Sequence, residues 1–211
     1  MPRTLILDID GTLVDSNDAH ARAWVQAFGE QGFTPDFSQV RPLVGMGSDQ
    51  LVPQLTDVQP GDTRFQPLSD GWQRAFEQEF PQLRAFDGTR ELVQTATSCG
   101  WKVVVATSGE SEMADRLLTL ANVADLLPDR VSSQDVKASK PQPDLLEVAL
   151  KKAGADPAEA WMLGDTRYDV EAAHKAGMKC AVVLLGKNSG LKDADATFAD
   201  LLAVRDWLQR A

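Results

Sequence analysis

The stretch Arg3-Thr-Leu-Ile-Leu-Asp-Ile-Asp-Gly-Thr-Leu13 joins a short apolar run to two closely spaced acidic residues. Leu and Ile at consecutive positions beside a β-branched Thr are typical of a buried strand. Asp8 and Asp10 therefore follow directly on the carboxyl end of a predicted first strand. Because open parallel sheets bind ligands at that end of their strands, these two carboxylates are the first candidates for a functional site.

From about Phe86 onward, helical and strand patterns alternate along the chain. The predicted strands are Trp101–Ala106, a short strand near Val131, Trp161–Leu163 and Lys179–Leu185, each preceded by a predicted helix. This rhythm predicts a parallel sheet with helices on both faces. The region from Ser16 to Ala85 is helical in pattern, although it lies between the first two strands. The sequence thus predicts an α/β fold: a doubly wound core, residues 1–15 and 86–211, with a small helical cap domain, residues 16–85, inserted after the first strand.

Composition narrows the class of protein and its partners. The 211 residues are 43% hydrophobic and 25% charged, which is ordinary for a globular protein, and their net charge of −10 opposes binding to nucleic acid or anionic lipid. No run approaches the ~18 apolar residues of a membrane span. The two cysteines, Cys99 and Cys180, lack metal-site spacing and are expected to be free thiols. We therefore expect a cytoplasmic monomer or homodimer without nucleic-acid or membrane partners.

Further polar residues follow the other predicted strands. Thr107-Ser-Gly109 follows the second strand, Asp165 ends the Trp161 strand with Asp169 four residues later, and Lys140 lies in a loop before a helix. Each has an ordinary explanation when taken alone: an Asp before a helix is commonly an N-cap, and a lysine is commonly solvated.

Their order along the chain favours a shared site at one edge of the sheet. Four carboxylates gathered there repel one another unless cations compensate. Mg²⁺ prefers oxygen ligands and, together with Lys140, would neutralise much of the charge. A carboxylate nucleophile, a metal, a lysine and a hydroxyl are the groups that phosphoryl transfer requires.

This ordered set resembles the four motifs of the haloacid dehalogenase superfamily, in particular its phosphoglycolate phosphatase and β-phosphoglucomutase-like members. The matching segments are Asp8-Ile-Asp-Gly-Thr12, Thr107, Lys140-Pro141 and Gly164-Asp-Thr-Arg-Tyr-Asp169. The resemblance spans nearly the whole chain. It implies a HAD-like Rossmannoid core and a phosphatase that hydrolyses a small phosphorylated metabolite, such as a sugar phosphate or a phosphoglycolate-like compound.

The resemblance also implies roles for the acidic residues. Asp8 would attack phosphorus to form an aspartyl-phosphate, and Asp10 would first protonate the leaving group and then activate water. Asp8, the backbone carbonyl of Asp10, and Asp165 would bind Mg²⁺. Asp169 would support the outer shell of the metal or orient Lys140.

The phosphoryl oxygens need separate partners. By the same resemblance, Thr107 and Lys140 would hold them. Ser108 and Gly109 could add backbone amides at the entry to the next helix, although a plain turn explains the same two residues.

The predicted first cap helix carries His20, Trp24 and Phe28 at a spacing of four. Trp24 and Phe28 are interpreted as packing residues of the cap. The segment His20-Ala-Arg-Ala-Trp24 is similar to the first cap helix of β-phosphoglucomutases, where the histidine faces the active site, so His20 is a candidate substrate contact. The segment Val44-Gly-Met-Gly-Ser48 lacks the arginine that the mutase pattern would place there.

Three alternatives to a phosphatase remain open. A phosphomutase would move phosphate between two positions of one sugar through Asp8. A dehalogenase would use Asp8 on carbon and would not need Asp10 as an acid and base. A non-catalytic metabolite-binding relative would have lost turnover, although the expected reactive residues are all present.

Overall fold

A six-stranded parallel sheet forms the centre of the protein in a computed structural model that describes residues 3–185, 191 and 193–210. The strands are β1 Thr4–Leu7, β2 Lys102–Ala106, β3 Arg130–Val131, β4 Ala160–Gly164, β5 Lys179–Val183 and β6 Ala196–Phe198. Their spatial order is β3-β2-β1-β4-β5-β6, and every neighbouring pair is parallel. The predicted doubly wound α/β fold is confirmed.

Helices cover both faces of this sheet. They are α1 Asn17–Glu30, α2 Phe37–Val40, α3 Ser48–Leu55, α4 Phe65–Glu79, α5 Thr89–Ser98, α6 Ser111–Leu120, α7 Asp144–Ala153, α8 Arg167–Lys175 and α9 Leu201–Leu208. Alternate residues of β1 point to opposite faces, as the pleat of a strand requires. Leu5 and Leu7 pack in the cluster that includes α5, α6 and α9, whereas Ile6 packs in the cluster that includes α7 and α8.

The segment between β1 and β2 is helical and has an apolar cluster of its own. Trp24 and Phe28 of α1 are buried there, together with residues of α3 and α4. The division into a core, residues 1–15 and 86–211, and a cap, residues 16–85, stays a prediction, which this separate cluster supports. Within the predicted core, residues 1–2, 186–190, 192 and 211 lie outside the described residues.

Two elements near the C-terminus had no counterpart among the predicted ones. β6 is three residues long and only partly buried, so its periodicity is too short to be recognised from sequence. It pairs with β5, which ends at Val183, two residues before the predicted end at Leu185. α9 follows and packs on α5, on the face of the sheet that buries Leu5 and Leu7.

The strand order places a switch point beside β1. The connections that leave β1 run first toward β2 and β3, and the chain then returns to the other side of β1 to form β4, β5 and β6. Ligands of doubly wound folds bind at the carboxyl ends of the strands at such a point.

Two further expectations concern the cysteines and the membrane. Cys99 and Cys180 are both free thiols, as expected. None of the described helices combines the length and the apolar character needed to cross a membrane.

Candidate active site

Asp8 lies at the switch point, immediately after β1. Its backbone amide donates to the carbonyl of Leu163 (3.0 Å), which continues the pairing of β1 with β4 and leaves the side chain at the sheet's edge. The carboxylate is buried, and its Oδ1 lies 2.9 Å from Nζ of Lys140. The predicted nucleophile and the predicted lysine therefore contact each other directly.

Lys140 connects two of the predicted acids. Its Nζ donates to Oδ1 of Asp169 (2.7 Å) as well as contacting Asp8, and the side chain is only 1% exposed. Burial alone would lower the pKa of Lys140, but Asp169 and Asp8 together raise it above its usual value. Lys140 is therefore a permanent positive charge between two carboxylates.

Asp169 also belongs to the start of α8. Thr166 is the N-cap of this helix, and Oδ2 of Asp169 accepts hydrogen bonds from the backbone amide (3.0 Å) and the hydroxyl (2.6 Å) of Thr166. In return, the backbone amide of Asp169 donates to the hydroxyl oxygen of Thr166 (3.4 Å), and this reciprocal arrangement is a capping box that fixes the side chain of Asp169. Because Thr166 is the cap, Asp165 is not, and the ordinary N-cap explanation for Asp165 is wrong.

Asp165 follows β4 and completes a cluster of buried carboxylates. One oxygen from each of Asp8, Asp165 and Asp169 lies within 4.8 Å of the others. Oxygen donors of this kind at this spacing fit a single Mg²⁺ ion. The side chain of Asp10 is turned toward α1, so the described geometry leaves only its backbone carbonyl for the predicted metal role.

Burial is the main cause of the pKa shifts in this cluster. Burial raises the pKa of Asp8 well above its usual range, and Lys140 offsets this only in part. Burial, followed by the charge of Asp169, raises the pKa of Asp165 to about 7. A bound divalent cation would favour the ionised forms, so the donor set has the electrostatic character of a cation site.

Asp10 is held by the first residues of α1. Its Oδ1 accepts from the hydroxyl of Ser16 (2.5 Å) and lies 2.8 Å from Nε2 of His20. Burial would raise the pKa of Asp10, but His20 and Ser16 outweigh it and lower the pKa below its ordinary value. Two carboxylates that are two residues apart in sequence therefore have opposite pKa shifts.

A tight loop brings α1 back over the sheet. Gly11 has φ of 73°, and a Cβ there would lie 2.0 Å from Nδ2 of Asn17 and 2.2 Å from Oδ2 of Asp165. Only glycine fits both this backbone conformation and this space. The loop also allows Nδ2 of Asn17 to donate to Oδ2 of Asp165 (2.7 Å).

The predicted phosphoryl partners lie after β2. The hydroxyl of Thr107 accepts from the backbone amide of Gly109 (3.0 Å), which leaves the hydroxyl proton of Thr107 for another acceptor. This bond occupies the Gly109 amide, which the sequence suggested as a direct phosphate donor. Ser108 contacts the carbonyl of Gly45 in the predicted cap through its hydroxyl (3.5 Å).

A cavity opens above these residues between the sheet and the helical segment. Asp8, Asp10, Lys140, Thr107 and His20 all contribute to its lining. Ser108 and Gly109 contribute as well, whereas Asp165 and Asp169 of the carboxylate cluster do not line it. All the predicted site residues are thus brought to one edge of the sheet.

Sequence reasoning missed several neighbours of the site. Ser16 and Asn17 each bind one of the predicted acids, and Trp72 of α4 stacks on His20 with ring centroids 5.4 Å apart. Ser16 and Asn17 lie at the start of α1, directly after the loop that carries Asp8 and Asp10, and this position in the sequence could have indicated their contacts. Trp72 is distant in sequence, so nothing local indicated its contact with His20.

Known proteins resemble this chain in sequence over most of its length. The model of the family described as haloacid dehalogenase-like hydrolase matches residues 5–183. A phosphoglycolate phosphatase of Yersinia pseudotuberculosis is 31% identical over 218 residues, covering 95% of this chain and 91% of the relative. A validoxylamine A 7'-phosphate phosphatase of Streptomyces hygroscopicus subsp. limoneus is 25% identical over 206 residues, covering 97% of each chain.

Solved structures share the fold over almost the full length. A hydrolase from Pseudomonas syringae has a TM-score of 0.91 at 27% identity and covers 99% of this chain and 98% of its own. CbbY from Rhodobacter sphaeroides, solved in complex with phosphate, has a TM-score of 0.77 at 20% identity, with 95% of each chain covered. At that identity the second likeness concerns the fold alone.

Proposed function

Because the chain belongs to the haloacid dehalogenase-like hydrolase family, we propose that it is a Mg²⁺-dependent phosphatase that hydrolyses a small phosphorylated metabolite through an aspartyl-phosphate on Asp8. The relatives named as phosphatases of phosphoglycolate and of validoxylamine A 7'-phosphate support the reaction class, phosphoric monoester hydrolysis. The alternative without turnover is disfavoured because the reactive residues converge in one cavity.

One observation supports this proposal above the others. Asp8 is a buried carboxylate at the floor of a cavity, in contact with Lys140, and it shares a cluster with Asp165 and Asp169. A purely structural carboxylate gains nothing from two like charges within 4.8 Å. A nucleophile that must hold a metal and face a phosphoryl group requires this arrangement.

In the first step, Asp8 would attack phosphorus while the bond to the leaving oxygen breaks. Lys140, placed between Asp8 and Asp169, would offset the negative charge of the phosphoryl oxygens, and the hydroxyl proton of Thr107 would bind one of them. Asp10 would donate a proton to the leaving oxygen. His20 and Ser16 would hold the carboxylate of Asp10 in position for this transfer.

In the second step, Asp10 would take a proton from a water molecule that attacks the aspartyl-phosphate. Asp10 must carry a proton when the first step begins and be ionised when the second begins, and its lowered pKa favours the second of these forms. The predicted cap would exclude bulk water until the intermediate has formed and would then open. Release of phosphate would return Asp8 to its starting state.

A bound Mg²⁺ would supply charge neutralisation and alignment of the phosphoryl group. Asp8 and Asp165 would be its carboxylate ligands, with the backbone carbonyl of Asp10. Asn17 would orient Asp165 through its hydrogen bond, and Asp169 would direct Lys140.

The direct experiment combines turnover with capture of the intermediate. Purified protein is incubated with Mg²⁺ and a panel of phosphomonoesters, and released phosphate is measured. Acid-quenched samples are then digested and examined by mass spectrometry. A phosphoryl adduct on the peptide containing Asp8 is expected. Turnover without any such adduct, even under rapid quench, would contradict the aspartyl-phosphate route.

The Asp10→Asn variant should separate the acid role from the nucleophile. An alkyl phosphate needs its leaving oxygen protonated, whereas the nitrophenolate of p-nitrophenyl phosphate leaves without a proton. We expect the rate of phosphoenzyme formation to fall by about 10²-fold or more for the alkyl substrate and far less for the aryl substrate. Rapid-quench measurement of both rates checks this, and equal losses would argue against Asp10 as the acid.

Removal of metal should have a pH-dependent effect on stability. Because the folded pKa values of Asp8 and Asp165 are raised, the folded protein binds protons more tightly than the unfolded chain does. This stabilisation is complete below about pH 4 and is lost as pH rises through the folded values. In excess chelator the melting temperature should therefore fall between about pH 5 and pH 8.

Added Mg²⁺ should reverse this trend, because it binds the ionised carboxylates. The increase in melting temperature that Mg²⁺ produces should be larger at pH 8 than at pH 5. Activity should vanish in chelator at both pH values. An Asp165→Asn variant is the control, since it should show a weaker pH dependence. A larger Mg²⁺ effect at the lower pH would refute the metal assignment.

A further inference from the structure

The outer part of the cavity is acidic. Gln66, Asp70 and Gln73 of α4 and Glu110, which precedes α6, are exposed residues of its lining. Gln66 donates to Oδ1 of Asp70 (2.7 Å), so its amide stays beside that carboxylate. The alcohol part of a substrate that extends away from Asp8 meets these side chains. The two charged ones, Asp70 and Glu110, are both negative.

No cation of the described lining is available to offset this charge. Its only basic members are Lys140 and His20; Lys140 is engaged by Asp8 and Asp169, and His20 lies against Asp10. Both are buried, whereas Asp70 and Glu110 are exposed.

The predicted cap does not supply a free cation either. Residues 16–85 contain no lysine, five arginines and nine acidic residues. Four of the arginines form ion pairs with acidic residues, namely Arg22 with Glu79, Arg41 with Asp18, Arg64 with Asp57 and Asp62, and Arg74 with Glu30. The fifth, Arg84, donates to the carbonyls of Pro81 and Leu83. A second anionic group of a substrate would therefore find no free cation in the cavity lining or in residues 16–85.

From this distribution of charge we infer that the enzyme selects phosphomonoesters whose alcohol part is an uncharged or cationic polyol, and discriminates against substrates that carry a second anionic group. The inference rests on the proposed phosphatase function and narrows its substrate class. It excludes phosphoglycolate and bisphosphorylated sugars as preferred substrates. It also disfavours the phosphomutase alternative, because that reaction passes through a bisphosphate.

The remaining walls suit a carbon skeleton with hydroxyl groups. Trp24 and Trp72 line the cap side, and Met113 and Leu117 of α6 line the core side. Apolar and aromatic surfaces pack against the C–H faces of a sugar or cyclitol, while a few polar groups orient it. Ser69 and the two glutamines supply neutral hydrogen-bonding groups near the opening.

The test compares substrates that share a skeleton and differ in one charge. Sorbitol 6-phosphate, its 1-amino-1-deoxy analogue and 6-phosphogluconate, which are all open chains, form one set, and 2-hydroxyethyl phosphate and phosphoglycolate form a second. We expect kcat/KM to be at least about tenfold lower for the anionic member of each set, because like charges face each other without compensation. Since the opening is exposed, this discrimination should shrink as salt is added.

A charge-insertion pair makes the test specific to the cavity. Gln73→Arg places a cation at the opening and should increase the relative kcat/KM of both anionic substrates by about fivefold or more. Gln78→Arg is the matched control: Gln78 is an exposed glutamine of the same helix that does not line the cavity, and the change in net charge is identical. The control should leave the selectivity unchanged.

The outcomes separate this inference from the proposed function. Mg²⁺-dependent hydrolysis of p-nitrophenyl phosphate, together with equal or higher kcat/KM for the anionic members, would overturn the inference and leave the phosphatase proposal standing. If Gln73→Arg and Gln78→Arg changed the relative kcat/KM of the anionic substrates equally, that result would also overturn the inference. Failure to hydrolyse p-nitrophenyl phosphate and every member of both sets would remove the function and the inference together.

Discussion

Replacing Asp8 by asparagine is expected to reduce turnover by at least about 10⁴-fold while the fold is retained. The amide has nearly the same shape as the carboxylate but cannot attack phosphorus. Lys140 keeps its bond to Asp169, so the buried lysine remains paired. Steady-state phosphate release measures the first effect, and thermal unfolding measures the second.

The same variant should be at least as stable as the unmodified protein when metal is removed. Burial raises the pKa of Asp8 well above its usual range, so the ionised side chain costs free energy near neutral pH. Asp87→Asn is the matched control, because Asp87 is exposed and distant in sequence from the motifs. Substantial residual activity in Asp8→Asn with an intact Asp10 would show that another group attacks phosphorus.

Replacing Lys140 by methionine is expected to have the largest effect on stability as well as abolishing activity. Lys140 is 1% exposed and contacts two buried carboxylates, at 2.9 Å and 2.7 Å. Methionine fills a similar volume but leaves Asp8 and Asp169 facing each other without compensation. In chelator, the free energy of unfolding should fall by about 3 kcal/mol or more, measured by urea titration.

A double variant distinguishes lost charge pairing from lost packing. Lys140→Met combined with Asp169→Asn removes one of the two uncompensated charges, so at least about 1 kcal/mol of stability should return although activity does not. Lys151→Met, at an exposed position of α7, should change stability by less than about 0.5 kcal/mol. If the second substitution restores nothing, the destabilisation arises from packing rather than from charge.

Much of the sheet was predictable because its strands are short, apolar and bounded by turns or helices. β1, β2, β4 and β5 are buried on both faces, so their residues form continuous apolar runs. β6 was missed because an edge strand of three partly buried residues has no such run. The helical character of the segment between β1 and β2 was likewise visible in its pattern.

For the candidate site, sequence order was informative about which side chains meet at the sheet edge. Asp8, Asp165 and Thr107 each follow a strand, and parallel strands of one sheet end at the same edge. Their neighbours were not predictable in this way. Ser16 and His20 could be located near Asp10 only once the loop at Gly11 was known to turn α1 back over the sheet.

The local pattern of residues was therefore sufficient for the α/β class, the helical character of the segment between β1 and β2, and the group of acids at the strand ends, because each depends on short-range periodicity or on position after a strand. The strand order, the contact of Lys140 with both Asp8 and Asp169, and the acidic opening of the cavity were settled only by tertiary packing. These features join side chains from distant segments, and a distance between such segments depends on how the helices and strands pack rather than on the residues beside them in sequence.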